Sequence, residues 1–152
     1  MPADAPAYEE DFVAWLDDQA RRARRREFDG LDLENIAEEL EGMARRDRRE
    51  IRNRLVILLL HLLKYQFQPR RRSRGWLATM AEPRQRIAGV TEDSPSLASF
   101  PVSVLDRCYT DARSRAALET GLPDSVFPQR CPFSPEQVLD PNWLPPRNRA
   151  DG

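Results

Sequence analysis

A chain of 152 residues, 40% hydrophobic and 32% charged, has the size and apolar content of one globular domain that needs neither a disulfide nor a metal to close its core. Lysine plus arginine (24) nearly cancel aspartate plus glutamate (25), for a formal charge of -1, which argues against a generic polyanion binder with its usual basic excess. Met1 to Ala7 has no basic head or apolar run, and the apolar run Leu55 to Leu63 is broken by His61, so neither a secretion signal nor a membrane span is expected and the expected location is the cytoplasm.

The first helix is expected from about Tyr8 to Phe28. Tyr8, Phe12, Trp15, Leu16, Gln19, Ala20 and Ala23 recur at spacings of three and four and line one face. Glu9, Glu10 and Asp11 open this segment and Arg21 to Arg26 close it, an order that complements the helix dipole without invoking a ligand. Gly30 is expected to end it in a left-handed conformation. Asp32 then reads as an N-cap.

A second apolar stripe begins at Leu33 and passes through Ile36, Ala37, Leu40, Met43, Ala44, Ile51, Leu55, Leu58, Leu59 and Leu62. Its phase survives the charged stretch Arg45 to Arg54, so one long helix to about Gln68 is favoured, roughly 50 Å at 1.5 Å per residue. The rival is a break near Gly42–Asp47, where Asp47 and Glu50 have capping-box spacing.

Pro69 stops this helix and Arg70 to Arg74 form a basic connector. A third helix follows from about Ser73 to Val90, with Trp76, Met80, Ile87 and Val90 inward and a kink or break expected at Pro83. Ser94-Pro95 reads as a helix start, with the geometry restarting at Pro101. The fourth helix carries Val104, Leu105, Cys108, Tyr109, Ala112 and Ala116, and Gly121 then Pro123 terminate it.

Beyond Leu122 prolines are dense, yet Val126, Phe127, Phe133, Leu139, Trp143 and Leu144 are too many large apolar side chains for a solvated tail. Ser134-Pro135-Glu136-Gln137 has the form of a capping box, predicting a short helix Pro135 to Leu139. The expected architecture is all-α: a bundle of four to five helices around one long central helix, with an ordered proline-rich C-terminal strap. One domain over 1–152 is expected, with 1–7 and 146–152 frayed.

These segments resemble the bacterial domain-of-unknown-function family 29. The resemblance rests on Tyr8-Glu-Glu-Asp-Phe12 with Trp15, Leu31-Asp-Leu-Glu-Asn-Ile-Ala-Glu-Glu-Leu-Glu41, Leu58-Leu-Leu-His-Leu-Leu-Lys-Tyr-Gln-Phe-Gln-Pro69 and Arg72-Ser-Arg-Gly-Trp76. It continues through Asp93-Ser-Pro-Ser-Leu97, Glu119-Thr-Gly-Leu-Pro123, and Cys131-Pro-Phe133 to Pro145. It implies an all-helical fold and supplies no reaction. Pro83 and Pro101 depart from how the family's helices are expected to read.

Three groups of residues carry chemical candidates. His61, the only histidine, lies among leucines one turn before Lys64 and could act as a base with an acid such as Glu38 as partner; a packed histidine is the simpler reading. Glu38, Glu39 and Glu41 suggest a metal bundle, but Leu58, Leu59 and Leu60 precede His61 where a Glu-x-x-His motif would be needed, so no metal is expected. Arg70, Arg71, Arg72, Arg74 and Trp76 could bind phosphate and stack on a base, although arginines also satisfy a helix C-terminus. Arginine outnumbers lysine 23 to 1, for which a GC-rich coding sequence is the preferred explanation. Cys108 and Cys131 are expected to be free thiols.

No phosphate loop, activated nucleophile or cofactor motif is recognised, and no cofactor is expected. The sequence therefore reads best as a non-catalytic interaction or accessory protein with a homo-oligomeric or other protein partner, nucleic acid being disfavoured and no membrane expected. The alternative is an enzyme or a nucleic-acid or phosphate binder built on His61, Lys64 and the Arg70–Trp76 connector.

Overall fold

The computed structural model describes residues 5–68 and 75–146, and no strand occurs among them. Five α-helices follow in order: α1 Phe12–Arg24, α2 Leu33–Phe67, α3 Gly75–Asp93, α4 Phe100–Thr120 and α5 Pro135–Leu139. By its contacts the chain divides after Arg45 into two compact units.

The first unit is a helical pair. Asp11 caps α1 by accepting the Ala14 N–H at 3.0 Å, and Arg21, Arg22 and Arg24 occupy its last turn. α1 is shorter than its sequence pattern suggested, because Arg26 turns left-handed (φ 59). The Arg26 N–H reaches the Ala23 carbonyl and the Glu27 N–H the Arg22 carbonyl, the paired bonds of a Schellman stop. Gly30, expected to hold that conformation, instead closes the 3₁₀ turn Phe28–Gly30.

Asp32 then caps α2 and joins it to α1. The Trp15 indole N–H donates to Asp32 Oδ2 at 3.1 Å, Gln19 Oε1 accepts the Asp32 N–H at 2.7 Å, and the Asn35 amide donates to Oδ2 at 2.7 Å. That amide is the main reason the Asp32 carboxyl titrates below its ordinary value. Tyr8 donates to Glu39, and its ring meets Trp15 edge-on at 4.8 Å. Of the face expected to be buried in α1, Trp15 and Gln19 are buried, while Phe12 and Leu16 remain exposed.

α2 is one helix of 35 residues, and no break occurs at Gly42–Asp47. Its apolar stripe behaves differently along its length. Ile51, Leu55, Leu58, Leu59, Leu62 and Leu63 are fully sealed in the second unit. Leu33, Leu40 and Met43 are 66%, 62% and 57% exposed, contrary to the expectation that the whole stripe faces a core.

In the second unit α3 and α4 pack against the leucine face of α2 through Met80, Ile87, Leu105, Tyr109, Ala112 and Ala116. α3 is one helix through Pro83, so of the kink or break expected there the break does not occur. Pro83 is itself buried, so packing holds the helix together despite the lost hydrogen bond. Ser94-Pro95 opens only a 3₁₀ turn, Pro95–Leu97, and α4 starts at Phe100 with Pro101 in its first turn. Gly121 (φ 71) ends α4, its N–H bonded to the Ala117 carbonyl, with Pro123 beyond.

The C-terminal strap is ordered as expected. Ser134 and Gln137 form the capping box of α5, and Phe127, Phe133 and Val138 are buried. Its backbone has few internal bonds, so its carbonyls draw donors from the helices. Arg84, only 5% exposed, donates Nε to Val138 O at 2.8 Å and Nη2 to Trp143 O at 3.0 Å. Arg113 donates to Phe127 O and Asp124 O, and Tyr109 to Pro128 O.

Two stability measurements test these assignments. Arg26→Gly should raise unfolding free energy by about 1 kcal/mol in a denaturant titration, because glycine carries no left-handed penalty. Arg84→Met should lower it by about 3 kcal/mol, because the strap carbonyls of Gln137, Val138 and Trp143 lose charged donors in a buried site. Arg84→Lys should recover less than half of that loss, lacking the planar fork.

Candidate functional site

His61 and Lys64 lie one turn apart near the C-terminal end of α2, and Trp76 lies in the first turn of α3. The second unit brings the three together. The His61 and Trp76 rings meet edge-on, 6.3 Å between centroids and 83° between planes, and Lys64 Nζ stands 6.0 Å from the Trp76 ring centre. α4 contributes Glu119, whose Oε2 accepts from Lys64 Nζ at 2.7 Å, with Arg115 3.8 Å from the other carboxylate oxygen.

The electrostatics follow from these neighbours. Burial pushes the half-buried His61 below its ordinary value, the Lys64 charge adds to that, and Glu119 opposes it. His61 is therefore mainly neutral at pH 7. Glu119 is held below the usual carboxylate range, chiefly by its hydrogen bond to Lys64. A neutral imidazole can accept a proton, but the acid beside it is committed to Lys64 and stays ionised, which suits an ion-pair lock between α2 and α4.

A shallow groove of about 630 Å³ adjoins this cluster, lined by Asn53, Val56, Ile57, Asp111, Ser114 and Arg115. Ile57 is one turn before His61 and Arg115 one turn before Glu119, so the groove leads toward the cluster. Both cysteines are free, and burial raises both thiols above their ordinary value, which disfavours the thiolate. Among the described residues no group of His, Cys, Asp and Glu has the arrangement of a metal site.

Glu38 is not part of this cluster. It lies in the first unit, in the first half of α2, and pairs with Arg45 at 3.2 Å. Arg70, Arg71, Arg72 and Arg74 lie outside the described residues; Trp76 alone of that group is placed. Glu119 was not among the residues singled out from sequence. Its signal is an acid in the last turn of a helix, where the dipole disfavours it and a cation from elsewhere must compensate.

The model of one family, the domain of unknown function DUF29, matches residues 7–144, and the chain belongs to that family. No curated protein and no solved structure matches it. No helix among the described residues is long and apolar enough to cross a membrane.

Because His61 is the only histidine, its proton NMR titration is unambiguous. Its pKa should lie below 6.5, fall further in Glu119→Gln and rise in Lys64→Met. A depressed folded pKa means that the unfolded state binds the proton more readily. Stability from His61 is therefore present above about pH 6.5 and declines as pH falls through the folded value. A wild-type stability profile no steeper than that of His61→Gln between pH 7 and 5 would contradict this assignment.

Proposed function

We propose that this member of a family without an assigned reaction is a non-catalytic interaction module whose contact surface is the apolar face of its N-terminal helical pair. The carrying observation is that Leu33, Leu40 and Met43 of α2 are each more than half exposed, with Ala37 exposed on the turn between Leu33 and Leu40 and Ala44 exposed beyond. Isolated exposed apolar residues are ordinary, but a continuous apolar run on one helix face marks a contact surface. The chemistry around His61 supports the same reading, since the nearby carboxylate is taken by Lys64 and both thiols are raised.

A photo-crosslinking residue at Leu40, introduced into the full chain in cells, tests the surface. A discrete protein adduct is expected from Leu40 and none from Leu118, which is 84% exposed on α4. No adduct from Leu40 would end this reading.

A second reading, a phosphate or nucleic-acid binder, draws on the nearness of the Lys64 charge to the Trp76 ring. It requires a salt-sensitive mobility shift with a single-stranded oligonucleotide that is lost when Arg70, Arg71 and Arg72 are changed to alanine. Binding unchanged by those substitutions, or no binding at low salt, removes it.

A further inference from the structure

We infer that the occupant of the exposed apolar face is a cationic amphipathic helix of another protein, laid along the trough between α1 and the first turns of α2; this rests on the interaction reading above and names the partner's chemistry. Every residue of the site lies before Arg46, within the first unit. Trp15 and Gln19 meet Asp32 while Tyr8, earlier in the chain, meets Glu39, so α1 and α2 run antiparallel. At about 100° per residue, Leu33, Ala37, Leu40 and Ala44 lie about 120° round α2 from Asp32 and Glu39, the residues that meet α1. Phe12 and Leu16 lie about 60° round α1 from Trp15 and Gln19, in the same sense along the chain. Antiparallel helices turn in opposite senses when viewed from one end, so both rows open on the same side of the pair. All six of these side chains are exposed. Two helices thus form an apolar trough that a third would complete, the arrangement by which grooves take up amphipathic helices.

Charge selects the occupant. Glu34, Glu38 and Glu41 continue round α2 in the same sense and border the trough on the side away from α1. Arg45 lies 3.2 Å from Glu38 and 3.9 Å from Glu41, one cation shared by two acids, and all three side chains are well exposed. Exposed pairs of this kind contribute little stability, so both carboxylates are readily turned toward an incoming cation. The border belongs to an acidic unit. Residues 1–45 hold thirteen acids against six arginines, whereas residues 46–152 hold twelve acids against eighteen basic residues. Of those six arginines, Arg21 and Arg22 are bonded to Asp18 on α1 itself.

This border repels an anionic membrane surface and a nucleic acid. Two copies of the same face would bring like charge together. A helix with large apolar residues along one stripe and lysine or arginine along its edge fills the trough and meets the glutamates at once.

A fluorescent synthetic helix of about 18 residues, with leucine on one face and lysine on the other, tests the inference beside a twin carrying glutamate in place of lysine. Each is titrated with the purified full chain and followed by anisotropy. The lysine peptide should bind about tenfold more tightly than its twin or better, and its affinity should fall as salt is added. Leu16→Asp and Leu40→Asp, both at exposed positions, should keep the helical circular dichroism and weaken binding about tenfold or more, whereas Leu118→Asp on α4 should leave it unchanged. Glu38→Lys/Glu41→Lys should reverse the preference toward the glutamate twin. Equal binding of both peptides, no binding of the lysine peptide, or binding unmoved by Leu16→Asp and Leu40→Asp overturns the inference. Mass-spectrometric mapping of the Leu40 photo-crosslink separates it from the reading beneath it. A contacted segment that is not cationic, or that belongs to a second copy of this chain, removes the cationic partner and leaves the interaction reading standing. Neither peptide binding nor an adduct removes both.

Discussion

The sealing of one helix face, Ile51 to Leu63 on α2, is the constraint on which the second unit is built. Six side chains on that face have no exposure at all. Each such burial contributes about 1.5–3 kcal/mol relative to an exposed position, and each requires surface to lie against. α3 and α4 supply part of that surface, and Phe127, Phe133 and Val138 of the strap join the same apolar cluster. A strap with only one short helix brings many unbonded carbonyls with it. Arg84, Tyr109 and Arg113 are the response, each reaching from a packed helix to strap carbonyls. Arginine suits this task because it donates several bonds in fixed directions while its stem packs against apolar neighbours.

The same helix obeys a different balance in its first half. There α1, its following turn and Tyr8 lie against it, held through Trp15, Gln19, Asp32 and Glu39. A single helix can cover one side of another, and the polar contacts at Asp32 and Glu39 fix which side that is. The apolar run Leu33, Leu40 and Met43 faces elsewhere. A continuous helix thus presents two halves with opposite relations to water: one stripe sealed in a core, the other left exposed.

The polar cluster at the end of α2 joins two helices through charge. His61 sits beside a tryptophan, a lysine and a glutamate, the ingredients from which acid–base sites are assembled. Its charges are committed within the fold. Lys64 compensates Glu119 at the unfavourable end of α4, and burial keeps His61 neutral. Lys64 and Glu119 satisfy each other, and the His61 ring lies edge-on to Trp76.

Periodicity and punctuation made much of this protein legible beforehand. The long α2, the Asp32 cap, the Gly121–Pro123 stop, the Ser134–Gln137 capping box and an ordered strap all follow from local spacing and local hydrogen-bonding chemistry, which act within a few residues. Gly30, and a break at Pro83, misled for one shared reason: a local preference is worth about 1–3 kcal/mol, which packing or a neighbouring bond can outweigh. Arg26 could take the left-handed position because the Schellman bonds around it are made, and Pro83 could stay helical because it is buried. Tertiary structure alone decided which length of the α2 stripe is covered, that Glu119 rather than Glu38 stands beside His61, and that Arg84 holds the strap. Those outcomes depend on contacts between residues far apart in the chain, and periodicity reports that a face is apolar without reporting what lies against it.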